Sequence, residues 1–342
     1  MNNVHCTLRE KTELKENIRN DMEPSICKSK MNMSTENRLT VGIAIPTYNR
    51  EEILVKTLEQ VFTLAPLPDE ILVVDQTKQH NSETIEYLAK AEKIEYFRWI
   101  KHGPPNLNSA RNRAIIETKC DILVFIDDDV IFNPSFLEKH SRNFYDQRVI
   151  AVCGRVIQAR GNLPQDRQQP WLNNYTCNKY NGWGEERVEG IAGLWGGNHS
   201  IRVNVIREIG GFDDNFFGYL YDESDLALRL WKKQKLIIYD PEAQLLHLGV
   251  STGGCRTSGN AHPEYWMSFS TIYFHMKHFF PKWYFWKQIF GVQFRRRALR
   301  KEIVFSPWKI PWAVLSYVYS LILAAKIYIR THNKENYLNI HP

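Results

Sequence analysis

Short apolar runs rich in β-branched residues alternate with helix-like segments from residue 41 onward, and this alternation constrains the fold more than any other feature. The predicted strands are Val41–Ile45, Ile71–Asp75, Ile94–Trp99, Ile122–Ile126 and Val149–Ile157. The predicted helices are Glu51–Phe62, Ser82–Lys90 and Asn108–Thr118, the last with Asn108 and Ser109 as candidate caps. This pattern predicts an α/β fold with a Rossmann-like, mostly parallel sheet flanked by helices.

Polar residues gather where three of these strands end. The three groups are Pro46–Arg50, Asp75–Thr77 and Asp127–Asp129. Open α/β sheets bind their ligands outside the carboxyl ends of the strands. The sequence therefore predicts a ligand site at one edge of the sheet.

The last of these groups is a run of three aspartates directly after an apolar strand. Each carboxylate raises the electrostatic cost of ionising the next, and a cation relieves that repulsion. Side chains alternate along an extended chain, so Asp127 and Asp129 share one side and form the expected ligand pair, with Asp128 opposite. Mg²⁺ or Mn²⁺, completed by nucleotide phosphates, suits such ligands. A solvated acidic turn is the alternative.

A second acidic group opens a later helix. Three of the four residues Asp222–Asp225 are acids, and they follow the glycine-rich turn Gly210–Phe212. Acids at a helix N-terminus are common caps. One of these carboxylates facing the pocket would instead serve as a general base. The residues alone leave both interpretations open.

Several other features are weaker signals. His247 lies in an apolar stretch, where a histidine is more often structural, and His275 and His278 are interpreted as structural too. The segment Gly196–Asn198 would let backbone N–H groups approach a ligand. The Gln-, Asn-, Pro- and Gly-rich stretch Gln158–Glu189 is predicted to be a mobile loop over the site.

Taken together, these features resemble the family 2 glycosyltransferases, which have the GT-A fold, from about residue 41 to residue 254. Five ordered elements carry the resemblance: Ile45-Pro46-Thr47-Tyr48-Asn49-Arg50, Val73-Val74-Asp75-Gln76-Thr77, Ser109-Ala110-Arg111-Asn112, Phe125-Ile126-Asp127-Asp128-Asp129, and Gly210-Gly211-Phe212-Asp213 leading into Asp222-Glu223-Ser224-Asp225. Each element is weak alone, and their shared order makes the resemblance specific.

The resemblance implies roles for the matching residues. The nucleotide- and substrate-binding residues it implies are Pro46, Thr47, Tyr48, Arg50, Asp75, Arg111, Asp128 and Asn198. The metal ligands it implies are Asp127, Asp129 and His247, and the catalytic carboxylates are Glu223 and Asp222. Within this set, Asp75 is expected to bond a pyrimidine base, Arg111 to enclose the pocket, and Asn198 to face donor sugar and acceptor.

Two departures from the family pattern affect this transfer. Many members carry Asp-Asp-Gly-Ser after the second strand, whereas Gln76 and Thr77 follow Asp75 here, a variant similar to rhamnosyltransferase-like members. The acidic pair, usually Glu-Asp, is inverted to Asp222-Glu223, so either carboxylate is a candidate base.

The implied activity is inverting sugar transfer from a UDP- or dTDP-sugar to a saccharide or polyprenyl-linked acceptor, in surface polysaccharide or glycolipid synthesis. A divalent metal would neutralise the departing diphosphate. Two alternatives are a nucleotide-sugar-binding module without turnover and a glycoside hydrolase with paired carboxylates. The hydrolase needs neither the Pro46–Arg50 element nor a metal-binding triplet.

The domain organisation follows from composition. Residues 1–38 are highly charged and lack a signal-like apolar run, so we expect a disordered tail. The six cysteines have no C-x-x-C spacing, which favours reduced thiols over a zinc site or a disulfide framework. We expect a GT-A domain over residues 39–262 and a helical region over residues 263–342.

The C-terminal region combines basic and aromatic residues. Between Lys277 and Lys309 there are nine Lys or Arg residues, including Arg295–Arg297, a single acid, and ten aromatics. The sixteen uncharged residues Ile310–Ala325 follow, fewer than the roughly 20 needed to span a bilayer. We expect an embedded or surface-lying helix on the cytoplasmic face of the cell membrane, with no nucleic-acid partner. The alternative is a helical extension packed on the catalytic domain.

Overall fold

The computed structural model describes residues 38–159, 186–216, 221–254, 264–295, 305–334 and 336–338. Three predictions concern residues outside these ranges: the polar tail up to residue 37, most of the predicted loop Gln158–Glu189, and Arg296 and Arg297 of the basic cluster. Of the cysteines, Cys120 and Cys153 lie within them, and both are buried free thiols.

The secondary-structure elements are numbered here in chain order. The strands are β1 Val41–Thr47, β2 Glu70–Asp75, β3 Phe97–Lys101, β4 Ile122–Ile126, β5 Val130–Phe132, β6 Val149–Gln158, β7 Val188–Glu189, β8 Asn198–Arg202 and β9 Leu236–His247. The α-helices are α1 Glu52–Val61, α2 Ser82–Ala91, α3 Leu107–Glu117, α4 Phe136–Ser141, α5 Val203–Glu208, α6 Asp222–Lys232, α7 Glu264–Phe279, α8 Trp283–Trp286 and α9 Ile310–Thr331.

Within the described ranges, the strands form one sheet in the order β3-β2-β1-β4-β8-β6-β9-β5, with β7 paired to β9. The first four strands of this order pair in parallel, as the alternating sequence pattern predicted. Strand β8 runs antiparallel between β4 and β6, an insertion that the sequence pattern did not reveal. Strand β9 is parallel to β6, and β5 is antiparallel to β9.

The central strands are buried along their whole length, which explains their nearly continuous apolar sequences. Strand β4 has the predicted bounds. Strand β3 begins at Phe97 and not at the predicted Ile94, because the Ile94 amide donates to the Ala91 carbonyl (2.9 Å) in the turn that ends α2. Phe97 is the first residue to pair with β2, opposite Ile71.

Helix α3 begins one residue before its predicted start. Its cap is Asn106, whose side chain accepts a hydrogen bond from the Ser109 amide (3.0 Å), and not Asn108 or Ser109 as predicted. The Asn108 side chain is buried and donates to the Phe216 carbonyl (3.2 Å), so it ties the helix to the loop before α6.

The Ser109–Asn112 element on α3 contacts the Gly210–Asp213 element. The Asn112 carboxamide donates to the Phe212 carbonyl (2.8 Å) and accepts from the Phe212 amide (2.8 Å), as a paired β-strand would. Both residues are buried. The pair fixes the Gly210–Asp213 turn against α3, on which Arg111 also lies.

The C-terminal helices pack beside α6. A hydrophobic cluster joins Phe216 and Leu228 to α7, α8 and α9. Helix α9 extends six residues beyond the predicted Ile310–Ala325, and its buried residues Tyr317, Ser320 and Ala324 lie on one face. Of the helices in the described ranges, α9 alone is long and apolar enough to cross a membrane, with a mean hydropathy of 1.6.

The Asn112–Phe212 pair generates a stability prediction. We expect Asn112→Ala to lower the free energy of unfolding by about 2–4 kcal/mol, because it leaves a backbone N–H and a carbonyl buried without their partner. Urea denaturation measures the change. The exposed Gln147 is a control site, where Ala should change stability by less than about 0.5 kcal/mol. Equal effects at the two positions would contradict this account.

Candidate active site

Strand register brings His247 to the aspartate triplet. Strand β5 starts directly after Asp129, and its first residue, Val130, pairs with His247 at the end of β9. On the other side of β9, Gln158 at the end of β6 also pairs with His247. Three strand ends thus meet at the site, although these residues are far apart in the sequence.

The aspartate side chains alternate as predicted. Asp127 and Asp129 turn to the same side: the His247 Nε2 atom lies 3.1 Å from the Asp129 Oδ1 atom and 3.8 Å from the Asp127 Oδ2 atom. One ligand atom from each of the three residues lies within 4.8 Å of the other two. This is close enough for one divalent ion to be shared.

The chemistry of these three residues fits the metal that the resemblance implied. Mg²⁺ and Mn²⁺ both accept carboxylate oxygens, and an imidazole nitrogen is a better ligand for a transition metal than for Mg²⁺. Burial opposes ionisation of Asp129, but bonds from His247 and from the Val250 amide lower its pKa, which keeps the carboxylate charged for a cation.

Gln158 fixes the orientation of the histidine, a role that the sequence did not suggest. The Gln158 Oε1 atom lies 2.9 Å from the His247 Nδ1 atom. This contact holds the ring with its Nε2 atom toward Asp127 and Asp129. A neutral imidazole that donates its Nδ1–H to Gln158 would offer the Nε2 lone pair to an ion bound there. Metal-binding histidines commonly use such a partner to set their tautomer. The available signal was its position at the carboxyl end of a strand.

Asp128 points away from this pair, toward Thr47 and Arg50 of the β1 turn. Its carboxylate accepts a hydrogen bond from the Thr47 hydroxyl (2.7 Å) and lies 3.2 Å from the Arg50 Nε atom. Burial raises the pKa of Asp128 to about 7, against the effects of Arg50 and Thr47. Asp128 therefore joins the β4 turn to the β1 turn.

Arg50 extends this connection to the loop after β9. Its guanidinium donates to the carbonyls of Thr252 and Val250, and it lies 3.4 Å from the Asp129 carboxylate. The Gly254 amide donates to the Tyr48 carbonyl (2.7 Å). The loop that follows His247 is thus held against the β1 turn.

The second acidic group is organised by a buried arginine. The Arg111 Nη1 atom lies 2.9 Å from the Asp222 Oδ2 atom and 3.2 Å from the Glu223 Oε1 atom. Burial and the neighbouring Asp222 raise the pKa of Glu223 well above its usual value, and the Arg111 charge opposes the rise. Glu223 lines the cavity, whereas Asp222 is fully buried and is not a lining residue. This geometry favours Glu223 over Asp222 as the base.

Two glycines lie between the acid pair and the aspartate triplet. A Cβ atom at Gly196 would lie 1.8 Å from the Glu223 Oε1 atom, and one at Gly197 would lie 2.2 Å from the Asp127 Oδ2 atom. Only glycine fits at either position with both carboxylates in place. The Trp195–Gly197 backbone therefore separates the two acidic groups by the width of one chain.

These groups line one open cavity of about 240 Å³, well above the roughly 10–15 Å³ that holds a single water. The predicted site residues that line it are Pro46, Thr47, Tyr48, Arg50, Arg111, Asp127, Asp128, Asp129, Glu223 and His247. The lining residues that were not predicted include Gln76, Gln158 and Trp195.

Asn198 is a correction, since its side chain does not face the cavity. It is fully buried, donates to the carbonyls of Arg155 (2.8 Å) and Ala243 (2.9 Å), and lies 2.9 Å from the His140 Nε2 atom. Its amide nitrogen therefore joins β8 to β6 and β9, and its oxygen contacts α4. The cavity is lined instead by the preceding Trp195–Gly197 segment.

Asp75 is also not among the residues that line the cavity. Its carboxylate accepts hydrogen bonds from the Thr77 amide (2.8 Å), the Trp99 indole (2.8 Å) and Lys101 (2.7 Å), and it lies 2.9 Å from His80. These partners occupy the carboxylate, so this arrangement does not support the expected contact with a base. Gln76 faces the cavity in its place.

The fold and the site together define the class of the protein. A parallel sheet carries an aspartate pair and a histidine at its edge, and a second carboxylate shares the same cavity. Residues 42–210 match the model of the family described as glycosyl transferase family 2. The chain belongs to glycosyl transferase family 2, and the expected GT-A fold is confirmed.

Individual relatives are distant. The poly(ribitol-phosphate) beta-N-acetylglucosaminyltransferase TarP of Staphylococcus aureus (strain N315) is 26% identical over 100 residues, covering 29% of this chain and 31% of TarP. The probable glycosyltransferase YdaM of Bacillus subtilis (strain 168) is 26% identical over 220 residues, covering 59% of this chain and 49% of YdaM. The chain thus spans half or less of each relative.

A solved structure shares the fold. The crystal structure of GalNAc-T7 with UDP, GalNAc and Mn²⁺ has a TM-score of 0.51 and 16% identity, covering 71% of this chain and 51% of that one. At this identity the likeness concerns the fold alone.

The Gln158–His247 contact generates a prediction about metal affinity. We expect Gln158→Leu to weaken binding of Mn²⁺ by ~10-fold or more, because the histidine loses the partner that sets its tautomer. Titration calorimetry with Mn²⁺ and a nucleoside diphosphate measures this without turnover. The exposed Gln147 again provides the control, as Gln147→Leu. Wild-type affinity in Gln158→Leu would show that the contact does not orient His247.

Proposed function

We propose that this protein is an inverting, metal-dependent glycosyltransferase that moves a hexosyl group from a nucleoside-diphosphate sugar to an acceptor hydroxyl. The observation that carries the proposal is the shared cavity: the cluster Asp127, Asp129 and His247 and the carboxylate of Glu223 line it together. A diphosphate needs a cation, and an acceptor hydroxyl needs a base. The cavity offers groups suited to both tasks.

In this proposal, Asp127, Asp129 and His247 hold the ion. When bound, a divalent ion neutralises the charge that develops on the departing nucleoside diphosphate. Glu223 accepts the proton of the acceptor hydroxyl, whose oxygen attacks the anomeric carbon from the face opposite the leaving group. This single displacement inverts the anomeric centre. The Gly196-Gly197 backbone lies between the two groups, and the absence of side chains there would leave room beside it for the donor sugar.

The ionisation of Glu223 is consistent with a base. Its raised pKa makes the carboxylate a stronger base than an exposed glutamate, and the Arg111 charge limits the rise. A base acts in its deprotonated form, so its contribution should be present above the folded-state pKa and lost as the pH falls through it. Arg111 also orients the carboxylate, at 3.2 Å from the Glu223 Oε1 atom.

We propose a UDP- or dTDP-sugar as the donor, bound by the β1 turn and by Gln76. The rhamnosyltransferase-like subtype remains a prediction that rests on Gln76 and Thr77. Gln76 is itself held by the Pro104 carbonyl (3.0 Å) and the Asn106 amide (3.1 Å), which fixes its position beside the cavity. A saccharide or polyprenyl-linked saccharide is the proposed acceptor, in surface polysaccharide or glycolipid synthesis.

An exposed aromatic surface supports association with a membrane. We define the aromatic surface by the exposed side chains Phe280, Trp283, Trp286, Phe290, Phe305, Trp308, Trp312, Leu315, Tyr319 and Ile322. On α9, the last four recur every three or four residues, opposite the buried face. Exposed Lys282, Lys287 and Lys309 lie among these residues along the chain. Aromatic and basic residues together suit the headgroup layer of an anionic bilayer.

We therefore propose that the protein lies on the cytoplasmic face of the cell membrane, as a peripheral or monotopic protein. The packing of α7 against α6 agrees with the alternative of a helical extension on the catalytic domain, and the two descriptions are compatible: one face of the C-terminal region packs inward and the other is exposed. A membrane-bound acceptor would give the exposed face its purpose.

One prediction of the proposed function concerns Glu223 as the base. We expect Glu223→Gln to lower kcat by ~10²-fold or more, because the amide cannot accept the hydroxyl proton. Binding of Mn²⁺ and nucleoside diphosphate should persist. Glu189→Gln, at an exposed glutamate, is the matched control. Unchanged transfer by Glu223→Gln would remove Glu223 from the mechanism. Failure of the wild-type protein to release nucleoside diphosphate would favour a binding module.

Another prediction of the proposed function concerns the aromatic surface. We expect the wild-type protein to sediment with phosphatidylglycerol vesicles. The double variant Lys282→Gln/Lys287→Gln should bind the vesicles at least ~10-fold more weakly, because each basic side chain near an anionic surface contributes about 1 kcal/mol. Trp283→Ser/Trp286→Ser should lose binding as well. Tyr145→Ser, at an aromatic residue that is 85% exposed elsewhere, is the control. Wild-type protein that stays in the supernatant at low salt would contradict the proposal.

A further inference from the structure

Helix α7 contacts the residues on both sides of the acid pair. Asp222 and Glu223 form the start of α6, between Tyr221 and Asp225. Tyr221 packs on α7 before the pair, and Asp225 is bound by α7 after it. The acid pair itself contacts Arg111 of α3, on another part of the domain. The start of α6 is thus held from two directions.

On the C-terminal side of the pair, Asp225 is the centre of a buried charge cluster. It is fully buried, and its Oδ1 atom lies 2.7 Å from the Lys277 Nζ atom and 2.9 Å from the His278 Nε2 atom. Its Oδ2 atom accepts from Arg229 (2.9 Å). Burial opposes ionisation, but Arg229, Lys277 and His278 hold the pKa of Asp225 well below its usual range.

Lys277 also binds the motif that precedes α6. Its Nζ atom lies 2.7 Å from the Asp213 Oδ2 atom, which also accepts from the Tyr273 hydroxyl (2.9 Å). Asp213 is fully buried and ends the Gly210–Asp213 motif. One ammonium group of α7 therefore joins two buried carboxylates, one before α6 and one on it. It contributes to the charge compensation of both carboxylates, together with Arg229 and His278 at Asp225.

On the N-terminal side of the pair, Tyr221 has a strained backbone. Its φ of 70° lies in the left-handed region, which is unfavourable for a residue with a Cβ atom. The Tyr221 ring lies 4.9 Å from the Phe274 ring and 6.3 Å from the His275 ring of α7. The ring therefore packs on α7 at the strained residue that immediately precedes Asp222 and Glu223. Glycine would adopt the same backbone without strain but would lack the ring.

We propose that α7 positions the catalytic base, with Lys277, His278 and the Tyr221–Phe274 contact as positioning residues that hold the first turn of α6. This inference rests on the proposed role of Glu223. It assigns a positioning function to His278, which the sequence alone had suggested was only structural. It also connects α7, the first helix of the C-terminal region, to the position of the proposed base.

The test combines hydrogen exchange with kinetics in the full-length protein. In Lys277→Met, we expect the amides of residues 222–230 to exchange ~10-fold faster or more, because the helix start loses its anchor. We expect kcat to fall by ~10-fold or more, with KM for the donor and Kd for Mn²⁺ within about twofold. Lys277→Arg, which keeps the charge, should restore both values.

Two further variants separate positioning from general stability. Tyr221→Gly relieves the backbone strain while it removes the ring, so it should fold and still show faster exchange and lower kcat. Tyr317→Phe keeps the ring and removes a hydrogen bond to the Ile289 carbonyl (2.7 Å), outside the charge cluster of Asp213, Asp225 and Lys277. It is the control that should leave exchange at residues 222–230 and kcat unchanged.

The outcomes are distinguishable. Wild-type exchange and kcat in Tyr221→Gly and Lys277→Met would overturn the proposal, as would equal losses in Tyr317→Phe. If Lys277→Met fails to fold, Tyr221→Gly decides. If the wild-type protein transfers no sugar, the proposed function fails, whereas the exchange measurement still decides whether α7 holds the start of α6.

Discussion

The site depends on the crowding of three carboxylates at the end of β4. Each aspartate of the triplet has a different solution to the repulsion. Asp128 turns inward to Thr47 and Arg50, whereas Asp129 is shared between His247, Arg50 and the Val250 amide. Asp127 stays at the cavity, 36% exposed. The β1 turn and the loop after β9 are both recruited to compensate the charge, so the electrostatics of one strand end organise three parts of the chain.

The insertion of β8 makes the cavity a site for two kinds of chemistry. Because β8 pairs with β4, the Trp195–Gly197 segment before it passes between the aspartate triplet and the acid pair of α6. A Cβ atom at Gly196 would displace the Glu223 carboxylate, and one at Gly197 would displace the Asp127 carboxylate. Arg111 of α3 compensates both members of the acid pair that begins α6, and Glu223 faces the cavity. The proposed metal ligands and the proposed base are therefore held by separate elements.

The features of the fold and the site that the sequence predicted are those set by residues close together in the chain. The parallel half of the sheet and the opposed directions of Asp127 and Asp128 follow from periodicity, and both were predicted. The antiparallel β8, the inward carboxamide of Asn198 and the role of Gln158 depend on register between distant strands, which one sequence does not encode locally. Asp75 does not face the cavity as expected because Trp99 and Lys101 of the neighbouring strand β3 bind its carboxylate. The helix cap moved to Asn106 because Asn108 was needed for tertiary packing.

The central claim is that one cavity holds a divalent ion within reach of a basic carboxylate. A crystal structure with Mn²⁺ and a nucleoside diphosphate, phased to show the anomalous signal of manganese, tests it most directly. The account predicts a manganese peak bound by Asp127, Asp129 and His247, with the diphosphate on the side of the ion that faces Glu223. A peak at another site, or a diphosphate bound away from Glu223, would contradict it.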